Sequence, residues 1–560
     1  MGPADPKWLD RRFDELKQLR LYREAEWQQI ADVFLPRKDF TLPLRKGELR
    51  RRRLSASTPP IALRRGAALL MAYMIDNSRP FIKPNVARGL VAAGRPAQLD
   101  PKSAGYLEDL QWAVFDRMML PQSGFLTSTS RLSLELYAFG SGVLWTGRKK
   151  NFGPRYMSRP LRACWIDQNE EGEADTLFYQ FTMPLWKAVE RWPDHNIADW
   201  KRDVDDDRKA CADVTIVHAV YPRQGALYGA VKERKPWAEV FWCRDKKAIL
   251  AESGYDSFPY AVPRLDVEEG SPYGTGLAWW VLPEALVLNA LQTGVENAAE
   301  LRLNPPILYP ARMFGKPLDR RPGAANAYDA TGLGFQNAQQ ALYRLDIGGD
   351  VAVGEQRMAR MEANIEQAFF TDWMRLRDSG VMTAEEVRER RDMRIRALSS
   401  FVPGVDRDLM GPTASRTLEV MKAEGQVPPP PAQLSRAEVD WDFAGPLAIA
   451  QLKGQAQSLS DLFDQALKGT QLDPIAAYAV NVEEGLRAVN EALGNPPETL
   501  RSREDVEQHR QQEAKAQQLQ RTLEAAQAGG AALRDGGQGA ATLAGAMGGG
   551  QQQQPMQQAA

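Results

Sequence analysis

The sequence predicts an α+β fold in which helical regions surround a strand-rich middle. Apolar side chains recur at every third or fourth residue in the first part of the chain and again beyond residue 350, the spacing of helices that bury one face. From Arg155 to Leu265, β-branched and aromatic residues gather in short runs, which is typical of strands. A long, mostly apolar segment, Leu277 to Leu303, separates this middle from the later part of the chain.

The N-terminal elements are predicted from apolar spacing. Residues 8–35 carry two groups of apolar side chains at helical spacing, so we expect two amphipathic helices there, the second ended by Pro36. Further helices are expected at 61–75, 105–120 and 124–145. The last of these should carry Val143 on its apolar face.

The middle of the chain predicts an antiparallel sheet flanked by helices. Between two of its strands, Leu185 to Trp192 is expected to form a short helix. The strands are expected at 176–182, 214–220 and 237–243.

Beyond the long apolar segment, a second helix is expected from Val353 to Trp373. Thr383 and Glu386 form a capping box that should open another helix, ending near Leu398. After a polyproline spacer, residues 446–520 return to a helical pattern.

Composition limits both domain number and chemistry. The chain has 560 residues, so roughly two to four domains are expected. Its formal net charge of -1 predicts neither DNA nor membrane binding. We interpret the basic run Arg45 to Arg53 and the acidic run Asp203 to Asp207 as solvated loops.

The cysteines and histidines predict no metal centre. Cys164, Cys211 and Cys243 are widely spaced, and with only 3 histidines they supply no clustered ligand set for zinc. The acidic run also lacks the glycine and distal glutamate of a calcium loop. We therefore expect no metal, no cofactor and no disulfide, in a reducing environment.

Two glycine patterns invite comparison with nucleotide-binding loops, and neither fits. After Gly274-Thr275-Gly276, Trp279 stands where the third glycine of a dinucleotide fingerprint would be, and its ring would block a pyrophosphate. Gly142 to Lys149 lacks the lysine and hydroxyl residue that come after the second glycine of a P-loop.

No segment has the roughly 18 to 20 unbroken apolar residues of a membrane span. The most apolar window, Gly276 to Leu291, contains Pro283 and Glu284. Charged residues begin at Asp5, unlike a signal peptide. We expect a protein made and used in a cytoplasm, without a membrane partner.

The segment Ser253 to Leu308 is the most informative in the chain. An extended stretch, Phe258 to Arg264, leads into a glycine-rich turn at 270–276 and then into the long apolar segment, which Asn304-Pro305-Pro306 stops. This order resembles the head-to-tail connecting, or portal, proteins of short-tailed bacteriophages. In that family a proline-flanked strand and a Tyr-Gly-x-Gly turn lead into a long helix beside a DNA channel.

Further motifs occur in the order of the same family. Each alone is weak, but the ordered set is specific and spans residues 8–455. The motifs are Trp27-x-x-Ile30-Ala31-x-x-x-Leu35-Pro36, Phe139-Gly140-Ser141-Gly142, Phe369-Phe370-x-Asp372, Met382-Thr383-Ala384-Glu385-Glu386-Val387-x-x-Arg390 and Pro446-Leu447-Ala448-x-Ala450-Gln451.

The resemblance implies a portal-type subunit with a helical and antiparallel-sheet wing, a two-helix stem, a small clip insert and a helical crown. The wing would take up 1–276 and 383–430, the stem helices 277–304 and 351–373, the clip 305–350, the channel loop 374–382, the crown 431–524, and a disordered Gly/Ala/Gln-rich tail 525–560.

The resemblance also implies partners. The subunits would form a homododecameric ring at one capsid vertex, a conduit for double-stranded DNA that also contacts capsid protein, terminase and tail or adaptor proteins. The expected location is the portal vertex of the virion, after assembly in the host cytoplasm. The DNA-channel candidates are Arg375, Arg377, Glu284, Glu296 and Glu300.

Two other classes of function stay open. Another structural virion protein is one, although a tail adaptor is usually much shorter and a scaffold lacks a strand-rich middle. The other is a nucleic-acid-processing enzyme, which would need a phosphate loop, a metal-binding carboxylate set or an activated nucleophile. None stands out in the sequence, so we expect no enzyme.

Overall fold

The fold is α+β and divides into two compact units. The first is built from residues 1–90, 109–429 and 436–457, and the second from 91–108, 430–435 and 458–560. The computed structural model describes residues 5–36, 40, 54–86, 101–195, 197–223, 235–311, 319–329, 342–344, 351–371, 402–431, 434, 439–443, 458–468, 481–493, 499–501, 505–506, 509–513, 515–516 and 518.

Among the described residues up to 423, the helices are α1 (Pro6–Phe34), α2 (Thr58–Met74), α3 (Pro101–Met119), α4 (Phe125–Phe139), α5 (Leu185–Arg191), α6 (Ala198–Asp203), α7 (Asp207–Ala210), α8 (Leu277–Leu303), α9 (Val351–Ala368), α10 (Val402–Val405) and α11 (Gly411–Ala423). A π-helical turn, Asp406–Met410, joins the last two. The strands found in the described part of the chain are β1 (Ile82–Val86), β2 (Val143–Lys149), β3 (Gly153–Arg159), β4 (Cys164–Gln168), β5 (Ala174–Pro184), β6 (Asp213–Pro222), β7 (Trp237–Cys243), β8 (Ala248–Tyr255), β9 (Tyr260–Ala261), β10 (Ile307–Ala311), β11 (Ala325–Asp329), β12 (Tyr343–Arg344) and β13 (Val439–Phe443).

The largest sheet within the described residues has the order β4-β5-β6-β7-β8 and is antiparallel throughout. The three predicted strands lie within β5, β6 and β7, and the predicted short helix is α5, so these expectations are confirmed. Phe13 of α1 packs on one face against Phe178 and Trp242, while Leu185 of α5 packs on the other against Ile216. Burying each large apolar side chain contributes about 1.5–3 kcal/mol, which holds the helices on the sheet.

Helix α1 is continuous, so the prediction of two helices in residues 8–35 is wrong. The polar gap between the apolar groups is filled by Arg20 and Arg23, which are 2% and 4% exposed. Arg20 Nη1 donates to the carbonyl oxygen of Cys164 at 2.6 Å, and Arg23 Nη1 donates to Thr275 Oγ1 at 2.9 Å. Because each guanidinium group donates to a buried acceptor, Arg20 and Arg23 can lie on the buried face of the helix between the two apolar groups.

The prediction of a helix over 124–145 is wrong beyond Phe139. Gly140 has a φ of 81°, which ends α4, and Val143 begins strand β2 rather than lying on a helical face. Strand β2 pairs antiparallel with β3 and β9. A short apolar run fits a buried strand and a buried helix equally well, so its spacing cannot separate the two.

The two helices after the middle region differ in how closely they match the prediction. Helix α8 has the predicted bounds, Leu277–Leu303. Helix α9 ends at Ala368, before the predicted end at Trp373, and Phe370 has a φ of 58° that a helix cannot continue through. Between the helices, β10 pairs parallel with β11 and antiparallel with β12.

In the second unit, helical residues 458–468 and α12 (Val482–Leu493) confirm the helical pattern predicted there. They meet where a Cβ on Gly485 would lie 2.2 Å from Phe463 Cζ. Arg510 pairs with Glu483 at 2.9 Å. The capping-box helix beginning at Thr383, the basic run Arg45 to Arg53 and the tail 525–560 lie outside the described residues.

The described part of the chain contains no helix long and apolar enough to cross a membrane. In the same residues, no group of His, Cys, Asp and Glu is arranged to hold a metal ion. Cys164, Cys211 and Cys243 are free thiols.

Candidate functional site: the long helix pair and its glycine junction

Helices α8 and α9 pack against each other as an antiparallel pair. A Cβ on Gly354 would come within 2.7 Å of Val295 Cγ2, so the two helices are close at this point. Toward the other end, Asn364 Nδ2 donates to Glu284 Oε1 at 3.1 Å. Residue numbers fall along α8 as they rise along α9, which fixes the antiparallel orientation.

The start of α2 ties both helices to the rest of the first unit. The Ala56 backbone N–H donates to Asn289 Oδ1 of α8 at 3.0 Å. Thr58 Oγ1 donates to Glu362 Oε1 of α9 at 2.9 Å. One short segment therefore fixes the inner faces of both helices.

A junction of two glycine turns precedes α8, and we call it the glycine junction (residues 139–142 and 273–276). Gly140 lies so near the second turn that a Cβ there would be 2.3 Å from the carbonyl carbon of Thr275. A Cβ on Gly274 would be 2.5 Å from the Gly140 oxygen, and Gly274 N–H donates to Ser141 Oγ at 2.9 Å. Only glycine allows this approach of two backbones.

Side chains from α1 and the second turn complete the glycine junction. Tyr273 is 0% exposed, and its hydroxyl accepts a hydrogen bond from the Ile166 backbone N–H of β4 at 3.0 Å. Arg23 of α1 donates to Thr275. The residues that lead into α8 are thus attached to both the sheet and the helix that covers it.

Arg264 anchors the extended segment before the junction. Its guanidinium forms a buried ion pair with Asp408 at 3.2 Å, and the two side chains are 1% and 8% exposed. The same group donates to Gln168 Oε1 at 2.9 Å and to the Gly172 oxygen at 2.6 Å. A charge this deeply buried requires such partners, so the pairing fixes the chain on its approach to α8.

The first half of α8 exposes a run of large apolar side chains, which we call the apolar stripe (Trp279, Trp280, Leu286 and Val287). Trp279 and Trp280 are 41% and 60% exposed, and their rings meet edge to face at 4.9 Å. Leu286 and Val287 are each 46% exposed. A helix that is apolar on all sides is normally buried on all sides, whereas the described part of this chain covers only part of α8.

The five predicted channel residues divide into three sets: one half-buried glutamate, two exposed glutamates, and two arginines that lie outside the described residues. Glu284 is half-buried and accepts the hydrogen bond from Asn364, whereas Glu296 and Glu300 are exposed one turn apart on α8. Glu296 also accepts from Gln292 Nε2 at 2.9 Å. Arg375 and Arg377 lie outside the described residues.

A buried polar cluster in the sheet has residue types that also occur in acid–base catalysis. His218 Nε2 donates to Glu239 Oε1 at 3.0 Å, and the Tyr260 hydroxyl donates to His218 Nδ1 at 2.7 Å. Burial lowers the pKa of His218, which favours the neutral imidazole. His218 and Tyr260 are only 3% and 2% exposed, so we interpret the cluster as a satisfied part of the core.

Comparison with known proteins shows which family the chain belongs to. The sequence model of the family described as "Bacteriophage head to tail connecting protein" matches residues 7–500. The chain belongs to this family of connecting proteins. The family's role is structural rather than catalytic.

Two relatives agree with this membership. The chain is 22% identical over 543 residues to the portal protein of Salmonella phage epsilon15, covering 94% of each chain. It is 24% identical over 527 residues to the probable portal protein of Bordetella phage BPP-1, covering 92% of each chain.

Two features of the site are not visible to sequence reasoning. The family-like turns at 139–142 and 273–276 each stand out in the sequence, but nothing there indicates that they touch. The partner of Arg264 is equally hidden, because Asp408 lies far away in the chain. Apolar spacing reports burial, and it carries no signal for a contact between two backbones.

Proposed function

We propose that this protein is a phage portal subunit. A closed ring of subunits would occupy one vertex of the capsid, conduct DNA during packaging and ejection, and bind terminase and tail proteins. The observation that carries the proposal is family membership over residues 7–500, together with a long helix pair that one chain leaves partly uncovered.

The apolar stripe supports assembly with further copies of the same chain. Exposed apolar surface costs roughly 25 cal/mol per Å², and contiguous apolar patches usually mark contact sites. A face-to-face contact would join two subunits, whereas a head-to-tail contact whose rotation closes makes a ring. A ring, homododecameric as the family resemblance implies, results if the stripe meets a different surface of the next subunit.

The order of the elements supports the proposed division of the subunit. Helices α8 and α9 would be the stem, with the small sheet of β10, β11 and β12 in the clip between them. The wing (1–276 and 383–430) would contain the large sheet. Residues 374–382 would form the channel loop and 431–524 the crown.

For the DNA channel, Glu296 and Glu300 are the better supported acidic candidates, because they are exposed. Glu284 is held by Asn364 and is a weaker one. We keep Arg375 and Arg377 as proposed phosphate contacts of the channel loop. The remaining proposed partners are capsid protein, terminase and tail or adaptor proteins, met at the portal vertex after assembly in the host cytoplasm.

The test is the assembly state of the purified full chain. Native mass spectrometry should show a closed oligomer near twelve subunits, and negative-stain images should show rings with a central hole. A stable monomer at all concentrations that keep the protein soluble would refute the proposal.

A further inference from the structure

A positively charged hairpin tip lies where β2 turns into β3, and we call it the basic tip (residues 148–155). The sequence carries no acidic residue between Glu135 and Asp167 to balance it. The cations of the tip are all exposed, and they are Arg148, Lys149, Lys150 and Arg155. The tip is therefore a concentrated positive patch on a chain whose formal net charge is only -1.

The residues that follow α11 hold the basic tip in place and neutralise only part of its charge. Glu424 Oε2 accepts the Asn151 backbone N–H at 3.2 Å, and Gln426 Nε2 donates to the Phe152 carbonyl oxygen at 3.0 Å. Glu424 also pairs with Arg148. The other cations of the tip have no carboxylate within ion-pair distance in the described part of the chain. They are presented on a turn that the fold has already fixed.

The next hairpin along the chain, between β4 and β5, carries the opposite charge, and we call it the acidic tip (residues 169–173). The Asn169 side-chain oxygen accepts the backbone N–H of Glu171 at 3.0 Å and that of Glu173 at 2.8 Å, which fixes the turn. Its exposed carboxylates belong to Glu170, Glu171 and Glu173.

The same chain does not neutralise the acidic tip. Among the described residues, no cation lies within ion-pair distance of its glutamates, and the nearby Arg407 pairs with Asp408 at 2.8 Å instead. Beside the turn, burial and then the charge of Asp167 raise the pKa of Asp175, so negative charge is already crowded there. A cation from outside the chain would relieve this crowding.

The two tips lie at opposite ends of β2. Arg264 forms a β-bridge with Ser141, just before β2 begins, and its guanidinium donates to the Gly172 oxygen of the acidic tip at 2.6 Å. The basic tip begins at Arg148, near the end of the same strand. At about 3.3 Å per residue, β2 spans about 20 Å. The tips of one chain are thus held apart and do not neutralise each other.

We propose that the basic tip of one subunit binds the acidic tip of the next subunit in the ring. This inference rests on the proposed portal function, since it needs copies arranged side by side. A ring grows from a head-to-tail contact, in which two different surfaces of the subunit meet. The two tips have the required properties, because they are opposite in charge, are left unpaired by their own chain, and lie at opposite ends of one strand.

The phosphates of a nucleic acid are the competing anion for the basic tip. Binding there would leave the acidic tip without a partner, and its exposed glutamates would repel the same polyanion. A contact between copies supplies both tips with a partner that every copy carries. The charge pattern therefore favours a second copy of the chain.

The expected role of this contact is alignment. Exposed ion pairs are individually weak, whereas complementary charge steers partners together and fixes their register. The tips would thus orient neighbouring subunits, while the apolar stripe buries the larger surface.

The experiment reverses the charge of one tip at a time in the full chain. Lys149→Glu/Lys150→Glu makes both tips negative, and Glu170→Lys/Glu171→Lys makes both positive. Sedimentation velocity at about 50 mM NaCl gives the protein concentration at which half of the chains are assembled. We expect this concentration to rise about tenfold or more for each variant, because like charges then meet across the contact. The effect should shrink at about 500 mM NaCl, where exposed charges are screened.

Mixing the two variants is the decisive comparison. In an equimolar mixture that alternates around the ring, every negative tip meets a positive one, so assembly should return close to that of the wild type. A misfolded variant could not be rescued in this way. The matched control is Lys187→Glu/Lys201→Glu, which makes the same charge change at exposed positions on α5 and α6 and should leave assembly unchanged.

Each other outcome overturns the inference. Variants that assemble like the wild type would show that the tips do not meet, and would leave the portal function standing. Loss of assembly that mixing does not rescue would show that the two tips are not each other's partners. A basic-tip variant that assembles normally but binds a labelled DNA duplex more weakly would assign that tip to nucleic acid. A wild-type chain that forms no ring would refute the proposed function itself.

Discussion

The large sheet and the long helix pair differ in how much of their apolar surface one chain covers. Phe178 and Trp242 of the sheet are 0% exposed, because α1 closes the face on which they lie. Trp280 on α8 is also a tryptophan, but its side chain is exposed to solvent, whereas that of Trp242 is buried. The apolar core of the sheet is therefore closed within a single chain, whereas we propose that the helix pair is fully covered only beside another copy.

The glycine junction leads into α8, but like the large sheet it is fully packed within one chain. Its contacts are between backbones, at distances that leave no room for adjustment. Changes at the junction should therefore unfold the single chain, and changes on the apolar stripe should affect assembly alone.

The largest effect is expected for Gly140→Val. The new side chain would meet the backbone of Thr275, and its φ of 81° is forbidden to a β-branched residue. The loss of folding free energy should exceed about 4 kcal/mol, enough to abolish the soluble fold. Soluble yield and thermal unfolding by circular dichroism measure it.

The matched control for that change is Gly105→Ala on α3, where an added Cβ meets nothing within 4 Å. Alanine favours the helix there by up to about 1 kcal/mol, so the melting temperature should stay the same or rise. A Gly140→Val protein that melts like the wild type would show that the junction is looser than its geometry indicates.

A smaller loss is expected for Asp408→Ala, which leaves Arg264 buried without its carboxylate. Breaking a buried pair from one side costs about 3–5 kcal/mol. Chemical denaturation of the unassembled chain measures the difference. Arg202→Ala, which removes an exposed ion pair with Asp199, should change little, and equal effects of the two substitutions would contradict the role of Arg264 as an anchor.

The smallest effect is a gain in stability that depends on pH. Burial, with a further contribution from the nearby charge of Asp442, raises the pKa of Asp406 to about 6 from 3.8. Since the folded state holds this proton more tightly, the carboxyl penalises folding increasingly as the pH rises from about 4 to 6 and fully above that. Because Asp406 is only half-buried, solvent screening reduces the full energetic value of this shift, and Asp406→Asn should therefore stabilise the protein by about 1–2 kcal/mol at pH 7.5.

The gain from Asp406→Asn should vanish near and below pH 4, where the wild-type carboxyl becomes protonated in both states. Denaturation midpoints measured across this range test the sign. A gain that stays constant with pH would show that the substitution acts through packing instead.

Sequence reasoning succeeds where a local pattern reports burial. The bounds of α8 come from a glycine before it and Asn304-Pro305 after it, and the strands from their β-branched runs. Such reasoning fails for α1, because the pattern cannot show that Arg20 finds buried carbonyl acceptors. It fails again at Gly140, where the turn and the strand after it depend on a partner about a quarter of the chain away.

The candidate site likewise contains some features that the sequence predicts and others that it cannot predict. The long helix and its Glu296 and Glu300 can be predicted from the sequence, since a helical wheel needs no partner. That α9 packs on α8 at Gly354, by contrast, depends on tertiary structure.

The central claim is that the apolar stripe is a subunit contact rather than part of the fold. Its most direct test is the double variant Trp280→Glu/Val287→Glu, with Trp186→Glu as the control, because Trp186 on α5 is also 43% exposed. Native mass spectrometry gives the assembly state, and denaturation at low concentration gives the stability of the single chain. We expect the double variant to lose the ring with an unchanged unfolding midpoint, while the control keeps its ring; intact rings in the double variant, or a chain that no longer folds, would contradict the claim.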